Sequence, residues 1–283
     1  MIDVEFIKLR SEALDAGHIK LATWGTKEQL IAVLRNGEHD PYHTEQKWMN
    51  LMMSREYPKI DTLYNRDERH FVIAGSLRRP KFGIIKGWSL TEKIHGINTR
   101  ATLFDNGEVE YGGKTDDAII LPELLEYLER TFTPEVLKAA LWLPNKTIPK
   151  FATIYGEGYG PKMMPGSGKY RKDVSFRLFD CLIEGVNGSW WLERSNIEDV
   201  ARKLGIKCVP IIGYIDRLPE TAQDLYTILN ESVVAREESG TGELPEGVVA
   251  SSHPFIYDNK GNRLIWKLKM KDFEKVTHSD KGT

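Results

Sequence analysis

Residues 1–57 carry apolar side chains at the spacing of short amphipathic helices. The apolar face of the clearest pattern consists of Leu30, Ile31, Val33 and Leu34. Thr26 and Gln29 stand before it at the spacing of a capping box, and Gly37 follows it as a stop signal. A second helix is predicted at residues 44–55, whose methionines and tryptophan favour core packing over a binding surface.

After Pro58 the apolar positions alternate with the period of two that is typical of strands. The segments with this pattern are residues 70–77, 97–104, 108–112, 151–156, 175–183, 189–192, 208–214, 247–252 and 263–270. Asn106-Gly107 and Asn187-Gly188 each separate two such segments. Because Asn and Gly tolerate positive φ, both pairs predict tight hairpin turns.

Helical spacing interrupts the strands in four places, which are residues 118–130, 134–142, 196–204 and 219–237. Ser195 and Glu198 form the capping box predicted for the third helix, and Gly205 ends it. The chain is therefore predicted to be an α+β protein with mixed, largely antiparallel sheets and packed helices. We expect a small helical segment at residues 1–57 and the sheet domain at residues 58–283.

Composition and charge narrow the class of protein. The 283 residues are 41% hydrophobic and 28% charged, which excludes a disordered chain. No apolar run reaches the roughly 18 residues of a membrane span, and the N-terminus lacks a secretory pattern, so we expect a cytoplasmic protein. Cys181 and Cys208 lie in apolar runs and are predicted to be reduced core residues, with a disulfide or a metal-binding pair as the alternative. Lys and Arg number 39 against 41 Asp and Glu, so any contact with a polyanion must come from a local basic patch.

The first candidate for chemistry is Lys93, in the run Lys93-Ile94-His95-Gly96 just ahead of a predicted strand. A lysine amine becomes a nucleophile when desolvation or a neighbouring cation removes its proton. A glycine at Gly96 lets the backbone approach a phosphate closely. The spacing is common by chance, so a surface lysine beside a turn is the alternative.

Further candidates follow along the chain. Glu157 stands among glycines at the end of a strand, which suits a ribose or a metal ion, with an ordinary loop glutamate as the alternative. Phe176 and Phe179 lie with Asp180 in the predicted strand 175–183, and either ring can stack on a purine or pack in the core. Glu246 opens an apolar strand.

The last pattern is a row of lysines near the C-terminus. In LIWKLKMKDF, strand periodicity places Lys267, Lys269 and Lys271 on one face and apolar side chains on the other. Such a row can hold a triphosphate and neutralise charge during phosphoryl transfer. A solvated strand face is the alternative.

In this order and spacing, the motifs resemble those of the lysine-nucleotidyltransferase superfamily, which contains DNA ligases, RNA ligases and mRNA capping enzymes. The resemblance covers about residues 58–273. EKIHGIN, YPKIDTLYNRD and YGGKTDDA are similar to strings of the type-2 RNA ligases, which include phage end-sealing and trypanosomatid editing enzymes. DNA ligases typically carry Asp and Arg where this chain has His95 and Asn98.

Two features depart from the family pattern. Lys114 precedes Thr115 where the family usually has Arg, and lysine lacks the bidentate fork of arginine. The sequence also ends shortly after the lysine row, so we expect no C-terminal nucleic-acid-binding domain of the kind that these ligases usually carry. Residues 1–57 are accordingly a candidate clamp on nucleic acid, with a packing cap as the alternative.

The resemblance implies an ATP-dependent ligase that uses Mg²⁺, or Mn²⁺ in its place. Lys93 would attack the α-phosphorus of ATP to give a lysyl-AMP, the AMP would pass to a 5′-phosphate end, and a 3′-hydroxyl would then displace it.

The resemblance also implies roles for the other candidates. Glu157 would contact the ribose or the metal, Glu246 would hold the hydrated metal, and Phe179 would stack on adenine, with Phe176 as the alternate. The remaining nucleotide-binding candidates are Thr91 and Glu92 through their backbone, His95, Gly96, Lys114, Lys267 and Lys269, of which Lys267 and Lys269 would act on the α-phosphate and leaving group.

The expected partners are RNA ends or a nicked duplex, and no membrane. Three alternatives stay open: a DNA nick ligase, a capping-type guanylyltransferase, and a non-catalytic nucleic-acid-binding relative of the ligases.

Overall fold

The computed structural model describes residues 4–15, 27–36, 56–142, 149–165, 167–169, 171–185, 188–230, 234, 238 and 245–273. The chain divides into two compact units, Met1–Arg55 and Glu56–Thr283. The first unit contains helices α1 (Val4–Asp15) and α2 (Lys27–Asn36), with a small core of Leu9, Ala13 and Leu30. Helix α2 has the predicted position, whereas residues 44–55, Thr26 and Gly37 lie outside the described residues.

The second unit is built from strands and four α-helices in its described part. The strands are β1 (Asp61–Thr62), β2 (Tyr64–Arg66), β3 (Val72–Leu77), β4 (Trp88–Lys93), β5 (Ile97–Phe104), β6 (Val109–Gly113), β7 (Phe151–Tyr159), β8 (Ser175–Gly185), β9 (Gly188–Trp191), β10 (Lys207–Cys208), β11 (Ile211–Ile215), β12 (Gly247–Ser252) and β13 (Ile265–Lys269). The helices are α3 (Pro122–Thr131), α4 (Pro134–Leu141), α5 (Arg194–Leu204) and α6 (Ala222–Leu229).

The strands form two main sheets. The first sheet has the order β1-β13-β12-β4-β11, and the second has the order β10-β8-β7-β5-β6 with β9 also paired to β8. A separate hairpin joins β2 and β3. Within the two sheets the β1–β13 and β10–β8 pairs are parallel and the other pairs are antiparallel. The predicted α+β class with largely antiparallel sheets is therefore confirmed.

Each sheet buries one face under helices. Alternation in β4 and β13 buries Trp88, Leu90, Trp266 and Leu268, and Leu225 of α6 joins their core cluster. A larger cluster joins the second sheet to α3, α4 and α5, with members such as Leu128, Leu137 and Val200. The opposite faces of both sheets are left to line a cleft.

Several sequence predictions agree with the structure. Gly107 adopts a φ of 86° and closes the β5–β6 hairpin through its N–H and the Phe104 carbonyl at 2.9 Å. Gly205 ends α5 with a φ of 67°. The β8–β9 pairing confirms the second hairpin, although Asn187 lies outside the described residues. Cys181 and Cys208 are free, and Cys181 is buried.

Other predictions were wrong in position. Strand β4 was not predicted, and Lys93 is its last residue; the run from Lys93 to Gly96 does stand just ahead of a strand, β5, as predicted. Helix α5 begins at Arg194 after Glu193, so Ser195 and Glu198 do not cap it. The predicted strand 208–214 is two strands, β10 and β11, which belong to different sheets.

The lysine row is shorter than predicted. Strand β13 ends at Lys269, and Met270–Asp272 forms a 3₁₀ turn because the buried Asp272 carboxylate accepts the Lys269 N–H at 2.9 Å. Lys271 therefore lies in this turn, exposed, and outside the strand row. In the described part of the chain, no helix has the length and apolar character needed to cross a membrane.

We expect Leu268→Ala to lower the free energy of unfolding by about 2–5 kcal/mol, the usual range for a fully buried leucine. Leu268 lies between the two cleft lysines of β13, and urea denaturation would measure the loss. Ile84→Ala is the matched control, because the Ile84 side chain is 74% exposed. Equal stability of the two variants would contradict the buried position of Leu268.

Candidate active site

A cleft of about 560 Å³ lies between the exposed faces of the two sheets in the second unit. Its wall includes most of the residues that the sequence singled out for nucleotide or metal binding. These residues are Glu92, Lys93, His95, Gly96, Lys114, Glu157, Phe179, Glu246, Lys267 and Lys269. Residues up to about 180 positions apart in the chain are thus gathered in one place.

Lys93 and Lys269 share one carboxylate. Gly247 pairs in register with Lys93 on β4 and with Lys269 on β13, which places Glu246 between the two lysines. Lys93 Nζ donates to Glu246 Oε2 at 2.6 Å, and Lys269 Nζ donates to Glu246 Oε1. Burial opposes ionisation of Glu246, but the two ammonium groups outweigh it and lower the pKa of this carboxyl.

Gly247 has to be a glycine for this arrangement. A Cβ at this position would lie 2.1 Å from the Leu268 carbonyl oxygen and 2.7 Å from Lys269 Cα. The close approach of β12 to β13 thus depends on the missing side chain.

Lys267 and Lys114 extend the positive wall. Burial lowers the pKa of Lys267, and the charges of Lys269, Lys114 and Lys93 lower it further. Among the described residues, no carboxylate lies within ion-pair distance of Lys267. A desolvated ammonium surrounded by other cations is stabilised by a bound polyanion, so this wall suits a polyphosphate.

Glu157 comes from the second sheet. It pairs in register with Asn98 and lies half-buried at the end of β7. Burial raises the pKa of Glu157 to about 7, although Lys93 opposes the shift and the Gly96 N–H donates to the carboxylate. The Oδ1 atom of Asn98 is buried without a hydrogen-bond partner among the described residues, beside Glu157 in the same wall.

Gly96 brings the residues after the lysine against β7. A Cβ at Gly96 would lie 2.3 Å from the Gly158 carbonyl oxygen and 2.9 Å from Glu157 Cγ. The loop that carries His95 therefore packs directly on the strand that carries Glu157. This contact connects the two sheets next to Lys93.

Phe179 and Val249 face the cleft from opposite sheets. Phe179 lies on β8, and Val249 lies on β12 in register with both Thr91 and Lys267. Phe176 is buried against Phe132, with ring centroids 5.0 Å apart, so it is a core residue and not the alternate stacking ring. A planar base between Phe179 and Val249 would have apolar contacts on both faces.

Glu92 is 1% exposed, and its carboxylate accepts the Val234 N–H at 2.9 Å. The Glu92 carboxylate is therefore already hydrogen-bonded within the protein interior.

Sequence reasoning missed Val249, Tyr57 and Arg263 as cleft residues, and used Asn98 only to distinguish ligase groups. The strand alternation in GVVASS is the signal that could have placed Val249 on the cleft face.

The donor set also fits a divalent cation. The described residues contain no group of three or more His, Cys, Asp or Glu side chains that would form a complete metal cage. Glu157 and Glu246 both line the cleft beside the lysines. Two carboxylates together with substrate phosphates and water are the ligands that Mg²⁺ usually takes in proteins.

We expect Glu157→Gln to stabilise the fold above pH 7 and to have no such effect near pH 4. Because the pKa is about 7 in the folded protein against 4.5 ordinarily, the folded state holds this proton more tightly, and stability falls as pH rises between these values. The neutral amide removes that cost, on the order of 1–3 kcal/mol. Urea denaturation at pH 5 and pH 8 would measure it, with the exposed Glu126→Gln as control. A gain that does not change with pH would contradict the raised pKa.

Comparison with known proteins gives the family context. The family model described as RNA ligase matches residues 86–269, about two thirds of the chain. No significant match is found among curated proteins.

Similar solved structures include a mutant of the Naegleria gruberi RNA ligase with ATP and Mn, at 15% identity and a TM-score of 0.48. The Naegleria gruberi RNA ligase with PPi has 16% identity and a TM-score of 0.47, and an archaeal ATP-dependent RNA ligase has 18% and 0.47. The matches cover 76%, 75% and 77% of this chain, and 56%, 61% and 49% of those chains. The chain thus spans about half to three fifths of the length of these proteins.

Proposed function

Because this chain belongs to the RNA ligase family, we propose that it is an ATP-dependent RNA ligase that joins a 5′-phosphate end to a 3′-hydroxyl end. The observation that carries the proposal is the position of Lys93. Its amine donates to Glu246 in a cleft whose wall also carries three further lysines, the carboxylate of Glu157 and the ring of Phe179. These are the groups that transfer of a nucleotide to a lysine requires.

In the first step, Lys93 Nζ attacks the α-phosphorus of ATP. A nitrogen–phosphorus bond forms, the bond from the α-phosphorus to the bridging oxygen breaks, and pyrophosphate leaves. Lys93 must also lose a proton, and Glu246 already accepts a hydrogen bond from the amine at 2.6 Å. Lys267, Lys269 and Lys114 stabilise the negative charge that develops on the leaving group.

The base, ribose and metal have their own contacts in this proposal. Adenine lies between Phe179 and Val249, and the ribose lies beside Glu157 and the unpartnered Asn98 oxygen. Glu246 and Glu157 would hold Mg²⁺ or Mn²⁺, which supplies charge neutralisation and orients phosphate oxygens when bound. Thr91 and Glu92 shape the base pocket through their backbone.

In the later steps, the 5′-phosphate oxygen of one strand attacks the lysyl-AMP phosphorus and releases Lys93. The 3′-hydroxyl oxygen of the other strand then attacks the activated 5′-phosphorus, and AMP leaves. His95 lines the cleft two residues from Lys93 and is placed to contact these phosphates. Lys114, Lys267 and Lys269 act in all three steps, because negative charge shifts between phosphate groups beside these lysines in each step.

A panel of nicked duplexes and single-stranded ends tests the choice of nucleic acid. We expect the sealing rate to be at least about tenfold higher when the 3′-hydroxyl strand is RNA than when the nick is all DNA. A site that recognises a group present only in RNA discriminates against DNA by that contact. Gel-resolved product per minute is the measurement. An equal or higher rate with DNA would favour a DNA nick ligase, and covalent labelling by GTP in place of ATP would favour a capping-type enzyme.

A further inference from the structure

Three buried side chains of the cleft wall form one hydrogen-bonded cluster, which we call the Tyr57 cluster: Tyr57, Asp180 and Arg263. The Tyr57 hydroxyl donates to Asp180 Oδ2 at 2.9 Å. The Arg263 guanidinium donates to both carboxylate oxygens of Asp180, to Oδ1 at 3.2 Å. The Arg263 and Asp180 side chains are only 6% and 4% exposed, so water barely screens this ion pair.

Aromatic rings enclose the cluster. The Arg263 guanidinium carbon lies 4.0 Å from the Trp191 ring centre and 5.4 Å from that of Phe255. The Tyr57 ring meets the Phe179 ring edge-on, with centroids 5.0 Å apart and planes at 71°. The charged pair is thus connected to the ring of Phe179 through Tyr57.

The backbone around Phe179 explains why that connection matters. In the β7–β8 ladder, Tyr155 pairs with Asp180 and Gly156 pairs with Leu178, so the register shifts and Phe179 has no opposite residue. A residue at such a bulge is held less firmly by the ladder than its neighbours are. Side-chain contacts must therefore fix the direction of the Phe179 ring.

The phenol of Tyr57 is suited to this role. Burial raises the pKa of Tyr57 well above its ordinary value, and the Asp180 charge raises it further. The hydroxyl therefore keeps its proton and stays a donor to Asp180 across the working pH range. Tyr57, Asp180 and Arg263 come from three distant parts of the second unit, so the cluster also fixes these parts relative to β8.

We propose that the Tyr57 cluster is a positioning device that holds Phe179 against the nucleotide base and so sets the affinity for the base while leaving the affinity for the phosphates unchanged. This inference rests on the proposed function, because it assigns the base of ATP to Phe179. The phosphate-binding lysines are not members of the cluster and lie on β4, on β13 and in the turn after β6. A change in the cluster should therefore weaken binding of the base and spare binding of a polyphosphate.

The test measures equilibrium binding of ATP and of tripolyphosphate by calorimetry. All variants carry Lys93→Met so that no covalent adenylate forms. Tyr57→Phe removes one hydroxyl, and Asp180→Asn keeps the size of the side chain while removing the charge that Arg263 pairs with. Tyr226→Phe is the matched control, because Tyr226 lies 44% exposed on α6, away from the cleft wall.

We expect the ATP dissociation constant to rise on the order of fivefold for Tyr57→Phe and more than about tenfold for Asp180→Asn, as for the loss of hydrogen bonds to a charged group. The tripolyphosphate constant should stay within about twofold of the parent in both. Tyr226→Phe should change neither. If Asp180→Asn does not fold, Tyr57→Phe alone decides.

Two results would overturn the inference: unchanged ATP affinity in Tyr57→Phe, or parallel loss of ATP and tripolyphosphate affinity, which would indicate general damage to the fold. A parent variant that binds tripolyphosphate without binding ATP more tightly would instead overturn the proposed function.

Discussion

Lys93→Ala is expected to abolish covalent labelling of the chain by α-³²P-ATP. The variant removes the amine that the proposed function assigns as the nucleophile, while Lys114, Lys267 and Lys269 stay in the cleft wall. Loss of a covalent nucleophile typically costs several powers of ten in rate, so the labelled band should fall below detection.

The measurement is a denaturing gel of protein incubated with Mg²⁺ and labelled ATP. Both proteins are first treated with pyrophosphate, so that adenylate formed during expression is removed. Lys203→Ala is the matched control, since Lys203 lies on α5 and pairs with Asp199 on the helix surface. Persistent labelling of Lys93→Ala would assign the nucleophile to another residue. An unlabelled wild type would contradict the proposal that the chain is an ATP-dependent ligase.

The second large effect is expected from Glu246→Ala. This carboxylate accepts hydrogen bonds from both Lys93 and Lys269, and its loss leaves two neighbouring ammonium groups without the carboxylate that pairs with both. It also removes one of the two cleft carboxylates that would hold the metal. We expect the rate of lysyl-AMP formation to fall by a factor of about 10²–10³, the usual cost of removing one electrostatic partner from an active site.

Single-turnover labelling at saturating ATP would measure that rate, and circular dichroism would verify the fold. Glu246→Gln separates two contributions, because the amide can still accept a hydrogen bond from Lys93 while it carries no charge. If both Glu246→Ala and Glu246→Gln formed lysyl-AMP at nearly the wild-type rate, Glu246 would only pack between the strands. Glu220→Ala, at an exposed position, serves as control.

Much of the fold was predictable because its signals are local. Alternation over 97–104 and the Asn106-Gly107 turn lie within a dozen residues, and they specify a hairpin without help from the rest of the chain. Strand β4 escaped prediction because its buried row, Trp88, Leu90 and Glu92, ends in a carboxylate that a distant N–H satisfies. Strand β1 has two residues, and only its pairing with β13 makes it a strand.

The predicted cleft residues came from the order of motifs in the chain, and the structure brings them together. The residues that sequence reasoning missed depend on contacts across the fold. Tyr57 is 123 positions from Asp180, and nothing near either residue indicates their hydrogen bond. Phe176 and Phe179 are three positions apart on β8, so strand alternation already places their side chains on opposite faces, and only Phe179 faces the cleft.

The pairing of the two-residue strand β1 with β13 has a consequence for self-association of the chain. Strand β13, which carries Lys267 and Lys269, would be the outermost strand of the first sheet if Asp61 and Thr62 did not pair with it. The Leu63 N–H adds a hydrogen bond to the Lys267 carbonyl at 3.0 Å. A row of open N–H and C=O groups on such a strand is a template on which another chain can add a strand and begin to aggregate. Asp61, Thr62 and Leu63 thus cover the edge of β13, and proteolysis past Leu63 would turn a strand of the candidate site into a site of intermolecular β-pairing.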